Sequence, residues 1–230
     1  EDLERELEYW RKRLAGAPPV IGLPTDRPRP GVRTASGSHR GFTLSQELTR
    51  SLKEVSRREH ATLFMTLLAA FDVLLHRYSG QVDLCVGSPI ANRNRGELEG
   101  LIGFFVNTLV LRTDLSGDPT FRELLGRVRT TALEAYAHQD VPFEMVVESL
   151  APERSLGHNP LFQVMLAVDV ARPPLPALPG GELSTVDASS ETAKFDLVLS
   201  FSETAGSMTG TVEYSSDLFD ETTIVRLVDH

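Results

Sequence analysis

Three things are scarce in this sequence of 230 residues: cysteine, excess positive charge and long apolar runs. The single cysteine, Cys85, excludes a disulfide bond within the chain, and its apolar neighbours predict a buried structural thiol. With 23 basic and 32 acidic residues the formal net charge is −9. This charge argues against general binding of nucleic acid and against binding to an anionic membrane surface. The N-terminus lacks a signal-peptide pattern, and no apolar run approaches the roughly 18 residues of a membrane span. A cytoplasmic protein is expected.

Several local motifs of catalysis and ligand binding are also missing. The sequence has no Gly-rich phosphate loop, no Gly-x-Ser-x-Gly, no Cys-x-x-Cys and no His-x-x-x-His. Nucleotide-binding, serine-hydrolase and zinc functions therefore lack their usual residues. A catalytic triad is only weakly disfavoured, because its members need to meet in space and not in sequence.

Helix and strand patterns alternate along the chain without an internal repeat, which predicts a mixed α/β layer architecture. Apolar residues at helical spacing predict a first helix that lays one stripe on a larger body, and they are Leu3, Leu7, Trp10 and Leu14. Residues 22–34 are rich in Pro, Gly and Arg and predict a linker without periodicity.

Capping residues and apolar spacing predict the remaining elements. Ser45 and Thr62 are expected N-caps, and Gly80 is expected to end the apolar helix that Thr62 opens. Asp118 is expected to cap a long helix that reaches about residue 137, with Pro119 in its first turn. The other predicted elements are strands at 38–44, 82–86, 104–111 and 162–168, a short helix at 143–150, a hairpin of 194–203 with 208–214, and a terminal helix from about residue 220.

His138 lies in a polar cluster with Gln139 and Asp140, at the end of the long predicted helix. It could act as a general base, because imidazole titrates near neutral pH and Asp140 could orient the ring. Alternatively, the negative end of the helix dipole stabilises the histidine, while Asp140 bonds loop amides ahead of Pro142. The residues alone leave both interpretations open.

Two further polar features stand out among apolar residues. Asn107 lies in a predicted strand, so its amide must find hydrogen-bond partners; it could line a channel or brace a neighbouring loop. Residues 87–95 leave a predicted strand and become polar, ending with Arg93 and Arg95. These arginines could pair with phosphate or acidic partners, or they could simply be solvated.

Three segments in fixed order carry a resemblance to a known family. They are Ile102-Gly-Phe-Phe-Val-Asn-Thr108, His138-Gln-Asp-Val-Pro-Phe-Glu144 and Asn159-Pro-Leu-Phe-Gln-Val164. Upstream of them, Glu8-Tyr-Trp-Arg-Lys-Arg-Leu-Ala-Gly16 and Leu23-Pro-Thr-Asp-Arg-Pro-Arg-Pro30 fit the same order. With these motifs the chain resembles the downstream half of a condensation domain from a nonribosomal peptide synthetase.

The resemblance implies an α/β fold, a lobe similar to one half of chloramphenicol acetyltransferase in which helices cover a mixed sheet. It implies an interlobe helix and linker over 1–34, followed by a C-terminal lobe over 35–230 that is incomplete at both ends. The family's catalytic histidine belongs to a His-His-x-x-x-Asp-Gly motif, and no two histidines are adjacent in this chain. We therefore expect no catalytic residue, no metal site and no activity from the chain alone.

The resemblance also suggests roles for individual residues. Candidates for the wall of a substrate tunnel, or for positioning groups near it, are Asn107, His138, Gln139 and Asp140. Candidates for the family's floor loop are Ser88, Asn92 and Arg93, and a latch to the other lobe is expected within 173–194. Architectural roles are expected for Gly103, Pro142, Arg154, Asn159 and Pro160.

The function that the resemblance implies is amide-bond formation between aminoacyl or peptidyl thioesters, with this half supplying one tunnel wall. The substrates would arrive on the phosphopantetheine of carrier proteins, with no cofactor bound directly. Expected partners are the N-terminal lobe of the same domain, donor and acceptor peptidyl carrier proteins and a neighbouring adenylation domain, but no nucleic acid or membrane. The alternative is a non-catalytic module of the same fold that docks carrier proteins or acts as a scaffold.

Overall fold

A computed structural model describes residues 2–93, 96–150, 155–169, 191–204 and 206–230. The helices of this part are α1 (Asp2–Leu14), α2 (Gln46–Arg58), α3 (Leu63–Ser79), α4 (Gly96–Glu99), α5 (Phe121–Ala137), α6 (Phe143–Leu150) and α7 (Glu221–Asp229). The strands are β1 (Gly37–Leu44), β2 (Asp83–Ile90), β3 (Asn107–Asp114), β4 (Val164–Asp169), β5 (Leu197–Thr204) and β6 (Ser207–Ser215).

The strands form one mixed sheet in the order β1-β6-β5-β4-β2-β3. The pairs β2–β4 and β4–β5 are parallel, and the other neighbours are antiparallel, including the predicted β5–β6 hairpin. Strand β4 pairs with β5 as far as Asp169, but it pairs with β2 only where Gly87 meets Met165. Beyond that pair β2 and β4 diverge, which opens the sheet between their carboxyl ends.

Gly87 permits the close approach at the crossing of β2 and β4. A Cβ atom at this position would lie 2.2 Å from the ring of Phe162, which leads into β4 and is buried. Any other residue would have to displace either the ring or the strand, because interiors of proteins are close-packed. The glycine thus fixes where the two strands touch and where they begin to separate.

The helices cover the sheet as predicted, and capping residues explain several of their ends. Ser45 and Thr62 accept hydrogen bonds from backbone N–H groups in the first turns of α2 and α3, at 3.1 and 3.2 Å. Gly80 ends α3 in the left-handed conformation, with φ 71°. Helix α3 is buried on most of its surface and packs against α5. The mixed sheet covered by helices is confirmed.

The expected cap of the long helix is wrong by two residues. Thr120, not Asp118, is the N-cap of α5, and its hydroxyl accepts a 3.3 Å hydrogen bond from the N–H of Glu123. The Glu123 carboxylate accepts a 2.8 Å bond from the Thr120 N–H in return. Asp118 lies before this capping box in a left-handed turn, with φ 49°, and Pro119 lies outside the helix.

The predicted strand at 104–111 begins only at Asn107, so the prediction is wrong for residues 104–106. Ile102 is fully exposed and the Phe104 side chain is 90% exposed. We call residues 101–106 the exposed apolar loop; its other large exposed side chains are Leu101 and Val106. Apolar density in this segment predicts core burial, but these side chains are exposed among the residues that the structure describes.

Residues 22–34 have no regular structure, as predicted, yet charged side chains attach them to the rest of the fold. Arg29 forms a two-pronged ion pair with the buried Asp196, with N–O distances of 3.0 and 2.5 Å. Asp26 accepts 2.8 Å hydrogen bonds from the N–H of Asp220 and the hydroxyl of Thr223, and these bonds lower the pKa of its carboxyl. The linker is therefore attached to the start of β5 and to the first turn of α7.

Two predictions about the apolar regions can be compared with the structure. Cys85 is buried, and burial raises the pKa of its thiol to about 12, as fits a structural thiol. Among the described residues no single helix is long and apolar enough to cross a membrane; α2 and α3 reach that threshold only as a pair bent by 104°.

Candidate functional site

Asn107 braces the loop that joins α5 to α6. Its side-chain amide donates to the backbone carbonyls of Gln139, at 2.9 Å, and Val141, at 2.8 Å. Its carbonyl oxygen accepts from the N–H groups of Phe143, at 3.0 Å, and Thr108, at 2.9 Å. These four hydrogen bonds satisfy the buried amide and match the loop-bracing alternative.

His138 is the C-cap residue of α5 and contacts α1. Its Nδ1 lies 2.5 Å from a carboxylate oxygen of Glu6, and its ring stacks on Tyr9 at 3.8 Å between centroids. Its backbone carbonyl accepts a 3.0 Å hydrogen bond from Trp10 Nε1. The histidine thus ties the first helix to the end of α5, and Glu6, which the sequence analysis did not single out, is its acidic neighbour.

The other residues of this loop differ in their exposure to solvent. Asp140 and Pro142 are exposed, and the side chain of Gln139 is half-buried. The carbonyl of Pro142 accepts hydrogen bonds from the N–H groups of Met145 and Val146, which begins α6. His138, Gln139 and Asp140 therefore lie together at one end of α5, with Asn107 beneath the same loop.

The floor-loop candidates lie where β2 ends. Ser88 is buried in β2, and Asn92 adopts a left-handed conformation with φ 50°. Arg93 donates to the carbonyls of Leu98 and Gly103, and its guanidinium lies 4.3 Å from the centroid of the Phe105 ring. Arg93 therefore organises the chain between β2 and β3, from which the exposed apolar loop projects.

Contacts around the remaining architectural candidates are close. A Cβ atom at Gly103 would lie 2.9 Å from the ring of Phe105. The side-chain oxygen of Asn159 accepts a hydrogen bond from Arg33, and the carbonyl of Pro160 accepts a 2.8 Å bond from the N–H of Phe162. Arg154 and most of the expected latch, residues 173–190, lie outside the described residues.

Gln163 is a linking residue that the sequence analysis missed. Its amide nitrogen donates to the carbonyls of Pro19, at 3.0 Å, and Asn159, at 2.8 Å, and its oxygen accepts from the N–H of Ile21 at 2.8 Å. It therefore joins the chain after α1 to the start of β4. No local signal reveals the link to the chain after α1, because Pro19 and Ile21 lie 144 and 142 positions away in sequence.

The divergence of β2 and β4 creates a cleft with a volume of about 340 Å³, which we call the β2–β4 cleft. It lies at the carboxyl ends of the parallel strands, where α/β sheets commonly bind ligands. Its apolar wall comes from Leu63, Phe64, Pro89, Ile90, Val168 and Met208. Its polar lining comes from Thr62, Ser88, Tyr136, Asp169 and Glu203.

The polar groups of the cleft differ in charge. Ser88 is 4% exposed and lines the cleft. Burial raises the pKa of the Tyr136 phenol, which keeps it neutral and able to donate a hydrogen bond. Glu203 forms a 2.6 Å ion pair with Lys53, and Asp169 is exposed at the rim. The cleft can thus bind a partly apolar group with hydrogen-bonding capacity.

The described part of the chain offers few side chains placed for catalysis. No histidine or cysteine lines the β2–β4 cleft. No three His, Cys, Asp or Glu side chains among the described residues come together as metal ligands would. Within the described residues the cleft is suited to binding and positioning, and it offers no evident nucleophile–base pair.

Comparisons with known proteins agree with this geometry. The sequence model of the Condensation domain family matches residues 1–230. One of the proteins that make up the linear gramicidin synthase of Brevibacillus parabrevis is 52% identical over 232 residues, which cover 100% of this chain and 3% of that protein. A four-domain nonribosomal peptide synthetase, solved with AMP and glycine, superposes with a TM-score of 0.91 at 28% identity, over 99% of this chain and 18% of that one.

A third similar structure is the X-domain of teicoplanin biosynthesis in complex with OxyB. It superposes with a TM-score of 0.89 at 32% identity, over 99% of this chain and 50% of that one. The fold is thus of the chloramphenicol acetyltransferase-like class that condensation domains share. With the family match over its whole length, the chain belongs to the condensation-domain family.

Proposed function

We propose that the chain is the C-terminal half of an amide-forming condensation domain in a cytoplasmic nonribosomal peptide synthetase. In this proposal it supplies one wall of a tunnel between two lobes, and carrier proteins deliver aminoacyl or peptidyl thioesters into that tunnel. The extent of the match supports a half: 99% of this chain superposes on only 50% of the teicoplanin X-domain chain. The gramicidin synthase relative is far longer, since the match covers 3% of it.

The observation that carries the proposal is the exposed apolar loop. Ile102 and Phe104 project into solvent from the carboxyl edge of β2, where the floor-loop candidates and the β2–β4 cleft also lie. Contiguous apolar surface of this kind marks interaction sites on soluble proteins. Its proposed occupant is the N-terminal lobe of the same domain, which would cover the loop and close the tunnel beside the cleft.

In the proposed mechanism this half positions its substrates, and the other half supplies the base. Two tethered reactants held in one tunnel react without a bimolecular encounter, which can lower the barrier by several kcal/mol. The amine of the acceptor attacks the donor thioester carbonyl, the amide bond forms and the donor's thiol leaves. The histidine of the upstream lobe assists the amine, while the cleft and the exposed apolar loop exclude water around it.

Reconstitution from two separate lobes tests this proposal. Carrier proteins loaded with donor and acceptor are mixed with the upstream lobe and this chain, and amide product is measured by mass spectrometry. The double variant Ile102→Ser, Phe104→Ser should give less product than wild type at limiting lobe concentration. At high lobe concentration its yield of product should return to the wild-type level. Leu156→Ser is the matched control, because Leu156 is also exposed (75%) but lies outside the loop and the cleft. Equal activity of both variants would contradict an interface at this loop.

A second candidate function is a non-catalytic docking or scaffolding module. It is favoured by the similarity to the X-domain, which was solved as a complex with a protein partner, OxyB. The two functions differ upstream of residue 1. An intact His-His-x-x-x-Asp-Gly motif there supports the enzyme, and its loss would support the docking module.

A further inference from the structure

We propose that the β2–β4 cleft holds the side chain of an aminoacyl substrate and selects against acidic side chains. This inference rests on the proposed function, and it identifies the part of the substrate that this lobe recognises. The substrate can be the donor or the acceptor, since both carry an aminoacyl group. The cleft discriminates by size, through its apolar wall, and by charge, through the exposed carboxylate of Asp169.

The size of the cleft suits one side chain. Its volume of about 340 Å³ lies near the lower end of the 300–1,000 Å³ that small-molecule pockets occupy. The apolar wall is drawn from α3, β2, β4 and β6, so it is built on the rigid sheet and on the helix packed against it. Such a wall favours apolar groups that fill it and disfavours groups that exceed it.

The second observation is that two hydroxyl groups line the cleft. Ser88 lines the cleft, so a polar atom of a bound group could pair with it. The neutral phenol of Tyr136 lines the same space and offers a second hydroxyl. Together they suit a side chain that ends in an amide, hydroxyl or amine.

The charge of the cleft sets the selection against acids. Lys53 balances Glu203 through their 2.6 Å ion pair, so Asp169 is left as the carboxylate that no described residue neutralises by an ion pair. Lys53 itself does not line the cleft, and no described lining residue is a cation. An acidic side chain would meet like charge at the rim, whereas a cationic one would be attracted. Screening at the exposed rim limits the effect of Asp169 to a moderate one.

A larger cavity, lined by Leu14, Pro18, Pro19, His158 and Leu161, does not offer the same features. It lies at the amino end of β4, whereas the exposed apolar loop lies beside the carboxyl end of β2, at the opposite end of the strands. The β2–β4 cleft is therefore the stronger candidate for a substrate group.

The test uses the two-lobe domain and single-turnover transfer between loaded carrier proteins. One arm varies the donor residue against a glycine acceptor, and the other varies the acceptor against a glycine donor; glycine, leucine, glutamine and glutamate are compared. Val168→Phe, which narrows the cleft, should lower the leucine-to-glycine rate ratio by about tenfold in the arm that uses the cleft. Asp169→Asn should raise the glutamate-to-glutamine ratio by about threefold in the same arm.

Leu156→Ser is the control variant and should leave both ratios unchanged. Ratios that stay within about twofold of wild type in both arms, for both cleft variants, would overturn the inference. Asp169 is exposed, so Asp169→Asn remains informative if Val168→Phe fails to fold. Failure of the proposed function looks different, because the wild-type two-lobe domain would then form no product even from a glycine donor and a glycine acceptor.

Discussion

The carboxyl group of Asp72 should make the lobe less stable as the pH rises. Asp72 lies in α3 with 0% exposure, and neither of its oxygens has a partner in hydrogen-bond geometry among the described residues. Burial raises its pKa from 3.8 to about 8, and the nearby hydroxyl of Thr113 offsets only part of that shift. At pH 7 the folded protein must therefore hold a proton on a group that is ionised in the unfolded chain.

The sign and size of the effect follow from the difference between the two pKa values. Because the folded state binds the proton more tightly, the stability that this group contributes is complete below pH 3.8 and is lost as the pH rises to about 8. Each pH unit in this window costs about 1.4 kcal/mol, so roughly 4 kcal/mol are lost by pH 7. Asp72→Asn cannot ionise and should not show this loss.

Urea unfolding at several pH values measures the effect. The free energy of unfolding of Asp72→Asn minus that of wild type should rise by roughly 4 kcal/mol between pH 5 and pH 8. Asp118→Asn is the control, because Asp118 is an exposed aspartate in a left-handed turn that asparagine also tolerates. A difference between Asp72→Asn and wild type that is constant with pH, whatever its absolute value, would show that the pKa of Asp72 is not raised by burial.

Three further predictions concern single contacts that hold the site together. Asn107→Ala should lower the free energy of unfolding by about 1–3 kcal/mol, since it leaves buried groups of the loop before α6 unpaired; chemical unfolding measures it. Gly87→Ala should lower the thermal midpoint and weaken binding at the cleft, because the added Cβ would lie 2.2 Å from the Phe162 ring. Arg29→Met should cost about 3 kcal/mol by leaving the buried Asp196 carboxylate unpaired, and a double variant with Asp196→Asn should recover part of that loss.

Local chemistry made the secondary structure largely predictable. Ser45, Thr62 and Gly80 act at helix ends as their side chains and backbone preferences dictate. The cap of α5 was misassigned because Asp118 and Thr120 are both good capping residues, and only the reciprocal bond with Glu123 decides between them. The exposed apolar loop was assigned to a buried strand because composition alone does not show which body buries an apolar segment.

The site was harder to predict, because it depends on how distant segments meet. Ser88, Tyr136 and Glu203 come from β2, α5 and β5, and only the divergence of β2 from β4 brings them to one cleft. Of these three residues, sequence reasoning identified Ser88, through the family resemblance. The pairing of His138 with Glu6 was equally hidden, since 132 residues separate them and neither carries a local signal for the other.

Single-turnover transfer between loaded carrier proteins, with mass spectrometry of the acceptor, shows whether catalysis needs a second lobe. We predict no amide product from these 230 residues alone, product when the upstream lobe is added, and a smaller loss of rate from His138→Ala than from replacing the motif histidine upstream. His138 is held by Glu6 and Tyr9 in a structural contact, which is the reason for the smaller loss. If the isolated chain forms product and His138→Ala abolishes it, the proposed need for a second lobe is wrong and His138 is the base.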